Sequence, residues 1–262
     1  MSDDEISRFE AQVRDNIRRL GEDKQLQDDT MAWMVRAGRV GAYTYNFSWA
    51  GRPVIQYPQD MVALQELVWR VRPDLIVETG IAHGGSLMLS ASLLAMLDYC
   101  DAAEAGTTLD PARPRRKVLG IDIDIRAHNR AAIEAHPLAR RIAMIEGSSI
   151  DPGVVAQVRS HAAGLRTMVL LDSNHTDEHV AAELEAYAPL VSVGSYCVVF
   201  DTVIEQMPPD LLAGRPWGPG NSPLTAVQRF LAAHPEYELD ASIEAKLLAT
   251  VARGGFLRRR SG

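Results

Sequence analysis

The chain has little of several features that mark specialised classes of protein. Only two of its 262 residues are cysteine, Cys100 and Cys197, which excludes a disulfide-dense scaffold and a four-cysteine metal site. Acidic residues outnumber basic ones by 34 to 27, so a general surface for nucleic acid is not expected. The longest apolar stretches are interrupted by polar residues, and we therefore expect no membrane span.

The remaining bulk properties are those of a globular protein. Hydrophobic residues make up 47% of the chain and charged residues 23%, and 262 residues suffice for one large domain with an extension. The N-terminal residues Met1-Ser2-Asp3-Asp4-Glu5-Ile6 have no apolar core, so no signal peptide is expected and a cytoplasmic location is predicted. The basic run Arg258-Arg259-Arg260 predicts a solvated tail.

From residue 75 onward, short apolar runs alternate with helix-like segments. Strands are predicted at 75–79, 118–123, 141–145, 167–171 and 195–200, and helices at 85–98, 127–135, 151–162, 177–190 and 223–233. The strands are rich in valine, isoleucine and leucine, as expected when helices cover both faces of a sheet. The alternation predicts an α/β fold with a doubly wound, mostly parallel sheet. Ligands of such sheets bind beyond the carboxyl ends of the strands.

Residues 1–58 are predicted to form an extension to a domain at residues 59–262. An apolar stripe with spacings of three and four predicts an N-terminal helix that docks either on the core or on a partner subunit. The stripe comprises Ile6, Phe9, Val13, Ile17 and Leu20. A homo-oligomer is therefore expected. Residues 41–58 predict an irregular aromatic loop, either a lid over a site or a surface segment. Asp60 is expected to cap the helix that follows.

A turn rich in glycine follows the first predicted strand. Its sequence is Glu78-Thr79-Gly80-Ile81-Ala82-His83-Gly84-Gly85-Ser86. Glycines let the backbone approach a ligand closely, and the next helix offers free N–H groups to an anion. An acidic residue at the strand end argues against a pyrophosphate and favours a ligand with an ammonium or hydroxyls, such as S-adenosylmethionine (SAM). A plain turn between strand and helix is the open alternative.

Polar residues also end the second and third predicted strands. Asp122 could accept hydrogen bonds from ribose hydroxyls or help to start the next helix. The polar segment 101–117, which predicts a surface insertion, accounts for the long spacing from Glu78 to Asp122. Ser148 could meet an adenine edge, although its turn could simply lead to a helix capped by Asp151.

The densest chemical cluster follows the fourth predicted strand. Asp172 could bind a metal or the methionyl end of a cofactor, and His175 could take a proton near neutral pH. The alternative is that Asp172 and Asn174 shape the turn while His175 is a surface residue. Asp201 ends the next strand, and two carboxylates suit a hard cation such as Mg²⁺. Glu205 is a further candidate ligand, and His179 is predicted to lie on a helix surface.

Together these motifs resemble the cephalosporin hydroxylase family, whose members are similar to SAM-dependent methyltransferases and to macrolide-pathway sugar O-methyltransferases. The resemblance covers roughly residues 50 to 258. It is carried by Pro73-Asp74-Leu75-Ile76-Val77-Glu78-Thr79-Gly80 with Gly84-Gly85-Ser86, Gly120-Ile121-Asp122-Ile123-Asp124, Glu146-Gly147-Ser148-Ser149, Asp172-Ser173-Asn174-His175-Thr176, Ala188-Pro189-Leu190-Val191, Phe200-Asp201-Thr202, Gly220-Asn221-Ser222-Pro223 and Lys246-Leu247-Leu248-Ala249-Thr250.

The resemblance implies a Rossmann-like class I methyltransferase fold and an O-methyltransferase that acts on a hydroxyl of a sugar or other small natural product. The implied SAM-binding residues are Glu78, Gly80, Gly84, Gly85, Ser86, Asp122, Ser148 and Asp172. Asp172 and His175 are the implied catalytic residues, and Asp172 and Asp201 the implied ligands of Mg²⁺. Metal-dependent relatives carry an acidic pair where this chain has Phe200 and Asp201, and Ser222 stands where asparagine is expected.

Other functions stay open beside this one. The chain could be a catalytically silent scaffold with the same fold, or the partner subunit of a hydroxylase or methoxylation system. The sequence shows neither a His-x-Asp metal triad nor a haem-ligand pattern, so we do not expect the chain itself to oxidise a substrate. A scaffold would tolerate the loss of His175, whereas an enzyme would not.

Overall fold

The computed structural model describes residues 3–260, so residues 1, 2, 261 and 262 of the predicted extension and domain lie outside it. The helices of the described part are α1 (Asp3–Glu22), α2 (Lys24–Gly41), α3 (Pro58–Val71), α4 (Gly85–Ala105), α5 (Ala127–Glu134), α6 (Pro152–Ala162), α7 (Asp177–Tyr187), α8 (Pro223–Ala233) and α9 (Ala241–Leu247). Its strands are β1 (Phe47–Trp49), β2 (Arg52–Val54), β3 (Leu75–Thr79), β4 (Lys117–Asp122), β5 (Ile142–Glu146), β6 (Thr167–Leu171), β7 (Tyr196–Val199), β8 (Tyr237–Leu239) and β9 (Phe256–Arg259).

The main sheet has the strand order β5-β4-β3-β6-β7-β9-β8 within the described residues. Strands β3 to β7 run parallel, and β9 runs antiparallel to both of its neighbours. The chain builds outward from β3 through β4 and β5, then crosses back to β6 and β7 on the other side. The predicted doubly wound, mostly parallel sheet is confirmed, and its switch point lies between the ends of β3 and β6.

Helices cover both faces of this sheet and explain its apolar strands. On one face, Ile76 of β3 packs in a cluster with α3 and α4, and on the other Val77 packs with α6, α7 and α8. Both side chains are fully buried. Neighbouring residues of one strand therefore serve two different cores, which requires a continuous run of apolar residues.

The five predicted strands and the predicted helices are confirmed, with small shifts at most ends, an earlier end for α7 and a much later end for α4. The sequence pattern did not predict α2, the hairpin of β1 and β2, or the C-terminal elements β8, α9 and β9. The predicted basic tail is wrong, because Arg258 and Arg259 belong to β9. Arg258 lies 3.9 Å from Glu238 of β8, and Arg259 donates to the Pro189 carbonyl at 3.0 Å. Because a carboxylate and a backbone carbonyl lie near their guanidinium groups, these arginines can lie in a strand beside the core.

Helix α4 is longer than predicted and extends to Ala105. Its 21 residues are apolar and numerous enough to cross a bilayer, against the expectation from the sequence, but half of that window is buried inside the protein. Near its end, Asp98 forms a buried ion pair with Arg116 at 2.7 Å. The segment 101–117 is thus only partly the predicted surface insertion, since it starts in α4 and ends at a buried arginine.

Asp60 does not cap α3, so that prediction is wrong. The helix begins at Pro58 after Tyr57, and Asp60 lies fully buried in its first turn. Its carboxyl accepts hydrogen bonds from the Thr250 hydroxyl and from the Val251 N–H, the latter at 3.1 Å. Burial raises the pKa of Asp60 to about 7. The carboxyl therefore joins α3 to a C-terminal segment.

The N-terminal extension packs partly on its own chain. Helix α1 contacts α9, and Val13, Ile17 and Leu20 are half-buried. Ile6 and Phe9 remain 40% and 62% exposed. Docking on the core is therefore confirmed for the C-terminal half of the stripe. The division at residue 58, the homo-oligomer and the cytoplasmic location remain predictions.

Replacing Gly85 by alanine is expected to destabilise the fold by roughly 2–3 kcal/mol. An added Cβ would lie 2.6 Å from the Pro53 carbonyl carbon and closer still to its oxygen, and backbone cannot move aside cheaply. Gly38→Ala is the matched control, because nothing lies within 4 Å of its Cβ position in α2. That variant should gain about 0.5–1 kcal/mol from helix propensity. Urea unfolding followed by circular dichroism measures both, and equal stabilities would contradict the packing.

Asp60→Asn is expected to gain stability relative to the wild type as the pH rises from about 5 to about 8.5. The folded pKa of about 7 exceeds the ordinary value of 3.8, so stability from the protonated carboxyl is present at low pH and is lost through pH 7. Because asparagine does not titrate, the variant does not lose this stability as the pH rises. Thermal melts across the range measure it, with Asp28→Asn on exposed α2 as control. A constant difference between Asp60→Asn and wild type would refute the buried titration.

Candidate active site

A cavity of about 460 Å³ lies at the carboxyl ends of β3, β6 and β7. That volume is in the range of small-molecule pockets. The glycine turn forms one wall, and polar groups form the floor at Asp172, Ser173, His175 and Asp201. The remaining wall is aromatic and apolar and includes Met34, Tyr43, Tyr57, Met207, Leu211 and Leu212. The cavity therefore combines a polar base with an apolar outer part.

The glycine turn is shaped by backbone that only small residues permit. Gly80 has a φ of +88°, and a Cβ there would lie 2.7 Å from the Asp172 carbonyl carbon. Ala82 also adopts a left-handed conformation, with a φ of +45°. The N–H groups of Ile81 and Ala82 donate to one carboxylate oxygen of Asp122, at 2.8 and 3.2 Å. Asp122 thus holds the turn from the neighbouring strand.

Helix α4 begins directly after this turn, with Gly84 at its N-cap. Among residues 3–260, no side chain caps its first N–H groups. Gly85 and Ser86 line the cavity, so the free amide groups of the first turn adjoin its interior. Such a helix start suits a carboxylate.

The structure separates the predicted cofactor residues into two sets. Gly80, Gly85, Ser86 and Asp172 line the cavity. Four others do not line it in the described structure, and their roles remain predictions: Glu78, Gly84, Asp122 and Ser148. Asp151 caps α6, accepting from the Gly153 N–H at 2.8 Å, as its alternative reading predicted.

Glu78 lies buried beneath the turn at the end of β3. Its Oε2 accepts a hydrogen bond from the Ser90 hydroxyl at 3.3 Å, and its Oε1 has no hydrogen-bond partner among residues 3–260. Burial raises the pKa of Glu78 to about 7. An unpartnered buried carboxyl oxygen costs free energy unless a ligand or a proton satisfies it. Glu78 does not line the cavity, so a proton satisfies this oxygen unless a group of a ligand reaches beneath the turn.

Three predicted site residues meet at the floor of the cavity. Asp172, His175 and Asp201 each offer a ligand atom, and these atoms lie within 4.8 Å of one another. His175 Nε2 is 3.1 Å from Asp201 Oδ2. Burial and the neighbouring Asp201 charge hold the pKa of Asp172 well above its ordinary value. Two carboxylates and an imidazole at this spacing fit a divalent cation.

The end of β7 supplies one carboxylate to this cluster. Asp201 adopts a left-handed backbone with a φ of +55°, a strained conformation that is common at functional sites. The preceding Phe200 is 3% exposed and packs in the hydrophobic core. Where an acidic pair was expected, Phe200 therefore packs in the core, and Asp201 is the carboxylate that the end of β7 adds to the cluster.

Two further side chains support the cluster. Gln56 is buried and donates to Asp172 Oδ2 at 3.2 Å, and nothing in the sequence pattern marked it as a site residue. The Trp217 ring lies 4.7 Å from the His175 ring at an angle of 82°. The His175 side chain is only 15% exposed, so the alternative of a surface histidine is wrong. Asn174 does shape the turn, because its Oδ1 accepts from the Thr176 N–H at 2.9 Å.

Two expectations at the edge of the cluster are also wrong. His179 is not a helix-surface residue, because its Nε2 lies 3.0 Å from Ser149 Oγ and 3.2 Å from Ser173 Oγ. Glu205 is turned away from the acid cluster. Its carboxylate accepts from the Ser222 hydroxyl at 2.7 Å and from a backbone N–H, which fastens the segment after β7 to the start of α8.

Residues 42–57, called the arm below, form the aromatic side of the cavity. The predicted irregular loop is wrong, because the arm contains a short 3₁₀ turn and the antiparallel hairpin of β1 and β2. Tyr43 and Tyr57 line the cavity with ring centroids 5.3 Å apart, so the arm covers one side of it, and its role as a lid stays a prediction. Opposite them, residues 203–212 contribute apolar side chains. Arg39, near the end of α2 and just before the arm, forms an ion pair with Asp210 of this segment at 2.8 Å.

Comparison with known proteins gives consistent likenesses. Residues 41–260 match the family model described as Rhamnosyl O-methyltransferase/CmcI. The rhamnosyl O-methyltransferase of Mycobacterium bovis (strain BCG / Pasteur 1173P2) is 32% identical over 207 residues, 76% of this chain and 73% of the relative. The protein of the same name from Mycobacterium leprae is 28% identical over 228 residues, 84% and 86% of the two chains. The solved structure of cmcI-D160 with Mg and SAM shares the fold, with a TM-score of 0.52 and 18% identity over 83% of this chain and 78% of that one.

Proposed function

The chain belongs to the Rhamnosyl O-methyltransferase/CmcI family of SAM-dependent methyltransferases, and we propose that it methylates a hydroxyl group of a sugar. The names of its relatives support a rhamnosyl group as the acceptor. The observation that carries the proposal is the meeting of Asp172, His175 and Asp201 beside the glycine turn, in one cavity. A cofactor and a hydroxyl acceptor can therefore lie next to each other there.

The chain's first task is to hold the cofactor. SAM supplies an electrophilic methyl group on a sulfonium, which is a good leaving group. The free amide groups at the start of α4 and the Ser86 hydroxyl bind its carboxylate. Asp172 and the unpartnered oxygen of Glu78 suit its ammonium. Asp122, whose carboxylate also accepts from two N–H groups of the turn, would accept from the ribose hydroxyls, and Ser148 would meet the adenine edge.

His175 is the general base of the proposed reaction. Its Nε2 donates to Asp201 in the tautomer that the 3.1 Å contact favours, which leaves the lone pair on Nδ1 to accept the acceptor's proton. The Asp201 carboxylate then stabilises the imidazolium. Trp217 covers the ring and limits its contact with water. These residues position and dehydrate the reacting groups, which is the main requirement of methyl transfer.

Asp172 and Asp201 are the residues that would hold Mg²⁺, with His175 beside them. The carboxylates fit, since an oxygen of Asp172 and one of Asp201 lie within 4.8 Å of each other and Mg²⁺ prefers oxygen ligands. A divalent cation bound there lowers the pKa of an acceptor hydroxyl. With Phe200 in the core instead of a second acid at the tip of β7, we propose that this site binds a cation weakly.

His175→Gln is expected to reduce turnover by roughly 10²- to 10⁴-fold, because the base is lost while the size of the side chain is kept. The measurement is transfer of radiolabelled methyl from SAM to 4-nitrophenyl α-L-rhamnopyranoside and to a panel of other glycosides. Affinity for S-adenosylhomocysteine (SAH) should stay within about threefold, since His175 is not a proposed cofactor ligand.

His161→Gln, on the exposed face of α6, controls for the loss of an imidazole and should leave turnover unchanged. Full activity of His175→Gln would eliminate the proposed base. A wild type that is inactive on every acceptor tested would instead favour the catalytically silent scaffold. Activity of the wild type only on acceptors without a sugar would contradict the sugar hydroxyl proposal.

Divalent cation binding can be measured without turnover by using Mn²⁺ as a paramagnetic probe. We expect the wild-type protein to reduce the free Mn²⁺ signal in electron paramagnetic resonance, and Asp172→Asn and Asp201→Asn each to weaken binding by about tenfold or more. Asp210→Asn, which removes an exposed carboxylate outside the cluster, is the control. Identical Mn²⁺ binding by all four proteins would show that the cluster holds no cation.

A further inference from the structure

The cofactor turn is held from outside by a side chain of the arm. Arg52, on β2, donates to the carbonyl oxygen of His83 from Nε at 2.9 Å and from Nη2 at 2.6 Å. The same Nη2 donates to Asn129 Oδ1 at 2.9 Å. Asn129, buried on α5, in turn donates to the Ala82 carbonyl at 2.9 Å. Two successive carbonyls of the turn are therefore fixed by a guanidinium and an amide acting together.

The arrangement of these bonds points to positioning rather than charge pairing. Within residues 3–260, Arg52 is in no ion pair, and its hydrogen bonds go to neutral oxygens. The two peptides that it and Asn129 hold directly follow Ala82 in the chain. Ala82 has a left-handed φ of +45°, which is strained for a residue with a Cβ. Such a conformation persists only where surrounding groups fix it. The guanidinium fork is the arm's contribution to that constraint.

Within a few residues, the same strand leads to the aromatic side of the cavity, which we assign to the acceptor and call the acceptor wall below. The Pro53 carbonyl packs against Gly85, leaving no space for a Cβ. Val54 and Tyr57 line the cavity, and Gln56 donates to Asp172 at 3.2 Å. The turn at residues 82–85 and the strand that carries the acceptor wall are therefore in direct contact.

We propose that Arg52 is a positioning residue that couples the cofactor turn to the arm, so that occupation of the turn by SAM or SAH orders the acceptor wall. This inference rests on the proposed function, since it takes SAM as the ligand of the turn. It assigns to the arm a second role besides lining the cavity. The arm transmits the state of the cofactor site to the acceptor site.

Amide hydrogen exchange with SAH as the probe tests the coupling without an acceptor. In the wild type, SAH should slow exchange in peptides of the turn, at residues 80–86, and in peptides of the arm, at residues 43–57. In Arg52→Met, SAH should still protect the turn but no longer the arm, and its dissociation constant should rise by roughly tenfold. Calorimetric titration of each protein with SAH fixes the ligand concentration that gives equal occupancy.

Two variants separate the explanations. Arg52→Lys keeps the charge but loses the fork, so it should behave like Arg52→Met if geometry is what matters. Arg39→Met removes another arginine beside the arm, one that pairs with Asp210, and should keep both protections. Circular dichroism confirms that each variant folds.

Each outcome bears on one claim. Protection of the arm that survives in Arg52→Met, or that is missing in an SAH-saturated wild type, would overturn the coupling. Loss of arm protection in Arg39→Met as well would make Arg52 one of many structural contacts and would also overturn it. No binding of SAH to the wild type would instead contradict the proposed function.

Discussion

The close approach of Gly80 to the backbone of Asp172 is the constraint on which the rest of the site depends. Strands β3 and β6 are paired up to Thr79 and Leu171, and the chain just beyond them stays in contact because Gly80 has no Cβ that would clash with the Asp172 carbonyl. That contact places the cofactor turn against the strand that carries the acid cluster. The switch point of the sheet thereby becomes a single cavity instead of two separate strand ends.

Buried carboxyl groups and strained backbone lie close to this contact, and a bound ligand can offset their free-energy cost. Glu78 and Asp172 are buried carboxyls with raised pKa values, and Ala82 and Asp201 adopt left-handed backbone. A sequence selected for stability alone would avoid such a concentration of buried acids and strain. Their position at one edge of the sheet is consistent with a site that binds a cationic cofactor and a cation next to a hydroxyl acceptor.

The sequence predicted the parts of the fold whose signal is local. Continuous apolar runs marked β3 and β6 to the residue, since both strands are buried on two faces, and the polar residues at their ends marked the site. Non-local features were not predictable. Strands β1, β2 and β8 have only three residues each, which is too short for a clear pattern. Asp60 stands where a helix cap is common, but its hydrogen-bond partner Thr250 is 190 residues away in the sequence. The contacts of Gln56 and Arg52 depend in the same way on segments far apart in the chain.

The claim that the turn and the acid cluster together form one SAM site is tested most directly by a crystal structure of the protein with SAH. We expect the SAH carboxylate at the first turn of α4, beside Ser86, and its ammonium within hydrogen-bonding distance of Asp172 or Glu78. The ribose hydroxyls should face Asp122. SAH bound away from the ends of β3 and β6, with the Glu78 carboxyl still unpartnered, would contradict this assignment.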